Sequence, residues 1–127
     1  VRYQGPKAKG MPELHRLTPI LSILQNNGHK VALVTDGRMS GASGKVPAAI
    51  HLSPEASDGG ILSKIKDGDP LSLNAKTGEL NCLNEEEVLN RPEVSPPSID
   101  QEGCGRELFL NLRNLVSNSD NGASILF

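Results

Sequence analysis

Residues 36–45, Asp-Gly-Arg-Met-Ser-Gly-Ala-Ser-Gly-Lys, bring two serines, an arginine and a lysine onto a stretch too rich in Gly and Ser to be regular structure. A phosphate-binding NTPase loop needs Gly, four residues, then Gly-Lys-Ser/Thr. Counting back from Gly44-Lys45 puts Met39 where the first Gly belongs, and Val46 replaces the hydroxyl residue. The spacing therefore speaks against nucleotide binding. What remains is a turn whose small side chains let backbone N–H groups approach an anion closely. Ser40 could act as nucleophile or base only beside a metal or cation, because an unactivated hydroxyl is too weak an acid. From the residues alone, a structural Gly turn fits as well as a catalytic one.

The second chemically suggestive stretch is residues 5–14, Gly-Pro-Lys-Ala-Lys-Gly-Met-Pro-Glu-Leu. Glu13 follows Pro12 near an expected helix start, where a carboxylate is favoured by the helix dipole. It is open to two readings: a capping residue, or an oxygen ligand for a hard cation such as Mg²⁺. Cys82 and Cys104 lie 22 positions apart, without a CxxC pair or a His at zinc spacing. They read as ordinary thiols.

The elements that would position these groups follow from the apolar pattern. Residues 1–3 read as the end of a strand and residues 4–10 as a loop. Pro12 is placed to open a helix, and Leu14, Leu17, Leu21 and Leu24 mark one buried face of it. Pro19 should kink or split that helix, and Gly28 should stop it. Residues 30–35, Lys-Val-Ala-Leu-Val-Thr, form a strand-length apolar run suited to burial on both faces. It leads directly into the Gly/Ser loop, a placement common for functional groups. Residues 61–65 read as a strand. Residues 71–73 and 79–83, flanking a turn around Lys76-Thr77-Gly78, suggest a small antiparallel unit. Asn84 is placed to cap a short helix over 85–90, with Glu87 at capping-box spacing. Residues 92–104 are linker-like; a helix over 105–117 shows Leu108, Leu112 and Leu115 on one face, and 123–127 read as a closing strand.

The chain has 127 residues, 36% of them hydrophobic and 2% aromatic, with 13 Gly. That fits one domain with a lean core, since about 45–50% apolar with Gly counted is usual. The lean core, and a start at Val1 without an initiator Met, lead to the expectation of a fragment whose apolar surface packs on a missing part. The net charge is −2, from 13 basic and 15 acidic residues spread along the chain. No clustered basic stripe suits nucleic acid. No apolar run approaches the roughly 18–20 residues that span a bilayer, so a soluble, cytoplasmic protein is expected.

Four ordered motifs, Arg2-Tyr3-Gln4-Gly5-Pro6, Gly10-Met11-Pro12-Glu13, Thr35-Asp36-Gly37-Arg38-Met39-Ser40-Gly41 and His51-Leu52-Ser53-Pro54-Glu55-Ala56, resemble the dihydroxy-acid and sugar-acid dehydratase family. The resemblance runs on through Lys66-Asp67-Gly68-Asp69 and covers essentially the whole chain. Residues 40–47, with Lys45 and Pro47, and residues 105–109 around Arg106 look like the 6-phosphogluconate branch.

The resemblance implies a mixed β/α fold: the β-barrel-like, swivelling carboxy-terminal domain of these dehydratases, with flanking helices, incomplete at its N-terminus. It implies a hydro-lyase that removes water from 6-phospho-D-gluconate to give 2-keto-3-deoxy-6-phosphogluconate, in the Entner–Doudoroff route, as a homodimer when full length. An iron–sulfur cluster, expected as 4Fe-4S, would act as Lewis acid on the departing hydroxyl, and Mg²⁺ would hold the substrate. Carried over by position, Ser40 matches the proposed base and Glu13 a Mg²⁺ ligand. Arg38 either orients the loop or substrate, or pairs structurally with Asp36. Lys45 is the candidate for the 6-phosphate, helped by Ser43 or Arg106, although Arg106 also reads as a plain surface residue. The cluster cysteines and other Mg²⁺ ligands are expected in the missing amino-terminal domain, leaving this piece inactive alone. The alternatives are a fragment of another hydroxy-acid dehydratase and a stand-alone anion-binding module.

Overall fold

Pro6 has no N–H to leave unpaired, and the extended Gly5 before it lets the chain enter a helix at once. A computed structural model, describing residues 1–41, 44–98 and 102–126, shows this first helix, α1, as the single turn Pro6–Lys9, where the sequence suggested loop. Gly10 closes it at φ +68°. The second helix, α2, spans Thr18–Asn26, so Pro19 starts a helix instead of kinking one. At the second helical position its missing N–H costs nothing. Pro12 and Leu14 lie outside it, and the anticipated face is only partly covered: Leu14, Leu17 and Leu21 are half-buried and Leu24 is exposed, as are Ile20 and Ile23 beside it. Gly28, at φ +87°, follows the helix as expected.

Within residues 30–35 only Leu33–Val34 form strand β1, which pairs in parallel with β2, Ala48–Ala49, in the register Leu33↔Ala48 and Val34↔Ala49. The pairing extends at both ends through Leu33 N–H to Pro47 C=O and Thr35 N–H to Ala49 C=O, each 2.9 Å. Leu33 is buried and Val34 half-buried, so burial on both faces is only partly realised.

Residues 1–3 are not strand; Tyr3 turns at φ +58°. Residues 61–65 are not strand either. They begin with a 3₁₀ turn, Ile61–Ser63, that follows another at Ala56–Asp58. The carbonyls a ladder would have used are taken by Arg2, whose Nη1 donates to Leu62 O (3.2 Å), Ser63 O (3.4 Å) and Ile65 O (2.5 Å). Between the two turns lies Gly60, where an added Cβ would stand 1.9 Å from the Pro54 carbonyl oxygen.

The hairpin forms as read. Strands β3, Leu71–Asn74, and β4, Glu79–Cys82, pair antiparallel from Leu71↔Cys82 to Asn74↔Glu79, and the Asn74 carboxamide oxygen accepts from Lys76 and Thr77 N–H in the turn. Helix α3, Glu85–Leu89, also forms, but the Asn84 side chain does not cap it. Asn84 instead donates to Asp69 (3.0 Å) and Glu87 (3.4 Å), and Arg91 grips the same two carboxylates at 2.6 and 2.5 Å. The hydrogen bond from Arg91 holds the Asp69 carboxyl well below its usual range. Helix α4, Arg106–Leu115, appears where expected. The last described residues are a 3₁₀ turn, Ser119–Asn121, and irregular chain. In place of a closing strand, Ser117 and Ser124 close a local loop (Ser117 N–H to Ser124 O, 2.9 Å); Phe127 lies outside the described residues.

The buried apolar set is small: Tyr3, Leu33, Val46, Ala56, Leu62 and Val88, beside the buried polar Thr18, Thr35, Asp36, Glu55 and Ser63. The fold is mixed helix and strand. Among the described residues there are two two-stranded sheets, which close no barrel. No described helix is long and apolar enough to cross a membrane.

Candidate active-site rim

Strand β1 delivers Thr35 and Asp36 into the interior, both fully buried. The Asp36 carboxylate accepts three backbone N–H groups: Tyr3 and Ala56 on one oxygen and Gln4 on the other, each at 3.0 Å. One buried charge thus ties together the amino-terminal segment, the end of β1 and the turn after residue 55. A buried carboxylate is tolerable only when so satisfied. This excludes the Asp36–Arg38 ion pair considered from sequence, because the carboxylate faces backbone amides.

Glu55, 1% exposed, does a parallel job. Its two oxygens accept from Lys7 N–H and Ala8 N–H at 2.9 Å, which are orphan donors of α1. Gly5 is required beside it, since a Cβ there would lie 2.5 Å from Glu55 Oε2. Burial pushes the Glu55 carboxyl above its ordinary value, against the two N–H bonds that favour the charged form. Asp36 and Glu55 both lie within the family motifs, but these roles are not directly legible in the sequence. One signal was present: a helix opening Gly-Pro-Lys, without a Ser, Thr or Asp cap, needs an acceptor from elsewhere.

Beyond Asp36 the chain emerges as a rim of three adjacent segments. Glu13 and Arg38 form a parallel β-bridge, with Leu14 N–H to Arg38 O at 3.2 Å and Arg38 Nε to Met11 O at 2.8 Å. On the other side of the same segment, His51 N–H donates to Gly37 O at 2.9 Å, and Leu52 N–H to Thr35 O at 3.2 Å. Gly37 is packed so closely that a Cβ would meet the Gln4 Cβ at 2.7 Å. Glu13 and Arg38 are exposed and Ser40, two residues beyond Arg38, is half-buried. Glu13 caps no helix, since α2 opens at Thr18; its backbone is instead bridged to Arg38.

The cations read as phosphate ligands are held on different elements. Lys45 is exposed, and its carbonyl accepts from Gln25 Nε2 of α2 at 2.7 Å. Arg106, also exposed, opens α4, which packs on α1. Ser43 lies outside the described residues. A groove of about 410 Å³ between α1 and α4 is lined by Met11, Phe109, Leu112 and Arg113 among others, and not by Glu13, Arg38, Ser40 or Lys45.

Among the described residues, no three His, Cys, Asp or Glu side chains gather into a metal-binding group. The exposed Glu13 carboxylate is of the oxygen type that suits magnesium, but it offers one ligand where a hard cation needs several. The cysteines do not fit a cluster: Cys82 is half-buried and donates to Asn84 Oδ1 at 3.3 Å, while Cys104 is exposed.

Residues 1–123 match the family described as dihydroxy-acid/6-phosphogluconate dehydratase, C-terminal. The chain belongs to that family. It is similar to the phosphogluconate dehydratase of Pseudomonas aeruginosa, with 56% identity over 97% of this chain and 20% of that protein. It also resembles the phosphogluconate dehydratase of Escherichia coli K12, at 53% over 99% of this chain and 21% of the relative. The dihydroxy-acid dehydratase of a Nitratiruptor species is 40% identical over 97% of the chain and 22% of its own length. The chain therefore spans about a fifth of the length of the curated relatives it matches. The family resemblance carried by the four motifs is thereby shown.

Proposed function

We propose that this chain is the carboxy-terminal part of a phosphogluconate dehydratase, which eliminates water from 6-phospho-D-gluconate to give 2-keto-3-deoxy-6-phosphogluconate. The observation that carries the reading is the 56% identity, over nearly the whole chain, to a protein of that name. On this reading residues 1–127 are one partial domain, with 92–104 linking to the last helix. The two short sheets are completed by the rest of a cytoplasmic, homodimeric enzyme into a barrel-like, swivelling domain.

The rim is read as one wall of the active site. Ser40, as its alkoxide, takes the C2 proton, and the C2–H electron pair forms the C2–C3 double bond as the bond from C3 to its hydroxyl breaks. The departing hydroxide takes up the proton and leaves as water, and the resulting enol tautomerises to the keto acid. Arg38, anchored by its Nε on Met11 O, keeps the Ser40 loop against the Glu13 segment and faces the substrate. Magnesium, held by Glu13 and oxygens from outside this chain, would supply the positive charge that makes a serine hydroxyl acidic enough to serve. A 4Fe-4S cluster is assigned wholly to the rest of the protein, since the cysteines here do not suit one. Lys45 takes the 6-phosphate as a point charge, with Ser43 and Arg106 assisting.

Kinetics of the full-length enzyme test this reading. Lys45→Ala should raise KM for 6-phosphogluconate roughly tenfold or more, the scale of a lost charge-assisted hydrogen bond. KM and kcat both unchanged would remove Lys45 from phosphate binding. Turnover across a panel of phosphorylated and unphosphorylated hydroxy acids separates this assignment from another dehydratase of the family; preference for an unphosphorylated acid would contradict it.

A further inference from the structure

We propose that His51 is a substrate-contacting residue on this rim, its imidazole reaching a hydroxyl or carboxylate oxygen of the hydroxy acid; the inference rests on the dehydratase reading above. Three observations carry it. First, the segment holding Gly37 and Arg38 is flanked by Glu13 through the parallel bridge and by His51 through its N–H to Gly37 O. His51 and Glu13 thus bracket the strand end that leads to Ser40. Second, the regular β1–β2 pairing breaks at this point: Leu52, and not His51, donates to Thr35 O, and His51 sits in the left-handed region at φ +57°. A side chain there costs roughly 1 kcal/mol or more that glycine avoids. Third, the structural work of His51 is done by its backbone, through the N–H to Gly37 and a carbonyl that accepts from Ser53 Oγ at 3.5 Å. The side chain is exposed, and among the described residues no hydrogen bond or ion pair of the imidazole is found.

Of the other left-handed residues, Cys104 is exposed like His51, but Tyr3 and Met11 contrast with it. The buried Tyr3 uses its hydroxyl on Val94 O, and the Met11 sulfur accepts from Ser119 Oγ at 3.7 Å. Their side chains serve the fold, whereas the His51 imidazole is free to serve a ligand. Strained non-glycine residues cluster at functional sites because the surrounding structure holds them there.

The test uses the full-length enzyme as wild type, His51→Gly and His51→Asn; glycine relieves the backbone, and asparagine tolerates it. Expected are melting temperatures at or above wild type, kcat/KM reduced roughly tenfold or more, and partial recovery of the glycine variant by added imidazole. Either variant retaining kcat/KM within about twofold of wild type overturns the His51 assignment alone. Lowered melting temperatures in both variants make His51 structural and also overturn it. A wild-type enzyme that dehydrates no hydroxy acid overturns the parent reading, and this inference with it.

Discussion

At the residue scale, two acidic side chains that look catalytic by type prove to be organisers. Asp36 is buried, and its carboxylate is committed to three backbone amides. Asp36→Ala should orphan those donors and destabilise the fold by about 3 kcal/mol or more, at roughly 1–3 kcal/mol for each unsatisfied buried group. Denaturant unfolding is the check, and a loss below about 1 kcal/mol would contradict the hub. Glu55 makes a pH prediction. Burial raises its pKa above the ordinary 4.5, outweighing the amide bonds from Lys7 and Ala8, and the Asp36 charge pushes the same way. The folded state therefore holds the Glu55 proton more tightly than the unfolded chain. Its contribution to stability is present below pH 4.5 and is lost as pH rises through the raised folded value. Glu55→Gln should remove that part of the pH dependence of Tm, and identical profiles for the two proteins would contradict it.

At the scale of elements, what the sequence made legible was local. The hairpin β3–β4 and helices α3 and α4 were found because alternation, turn residues and leucine spacing are encoded within a few neighbours. The misreadings have non-local causes. Residues 61–65 have strand composition, but Arg2, some sixty positions away, takes their carbonyls. Residues 6–9 look like loop, yet Glu55 from a distant turn supplies the acceptors that let α1 form. The site was half legible: Glu13, Arg38 and Ser40 were picked out by motif, but not that bridge pairing sets the first two side by side, nor that His51 flanks the same segment. Gly60 shows how tightly the elements lock. An alanine there would drive its Cβ to 1.9 Å from Pro54 O, and since backbone and not a flexible side chain must move, Gly60→Ala should cost about 1–3 kcal/mol or more. A thermal melt showing an unchanged Tm would refute that packing.

At the scale of the whole molecule, the chain leaves large apolar side chains uncovered. Ile20 and Ile23 of α2 are 58% and 59% exposed, and Leu108 and Leu115 of α4 are 73% and 70%. Faces of this kind mark interaction surfaces, and the relatives are about five times as long as the matched segment. The rim is equally open: it offers a serine, a carboxylate and an arginine, but no complete metal site among the described residues. On the proposed reading the active site is composite, with Ser40 of this chain as the base and Glu13 as one metal ligand. The most direct measurement is the rate at which full-length enzyme forms 2-keto-3-deoxy-6-phosphogluconate from 6-phosphogluconate, compared with its Ser40→Ala variant. The variant should bind substrate yet lose roughly 10²–10⁴-fold in kcat, the scale of a missing general base; a variant turning over within about twofold of wild type would contradict the account.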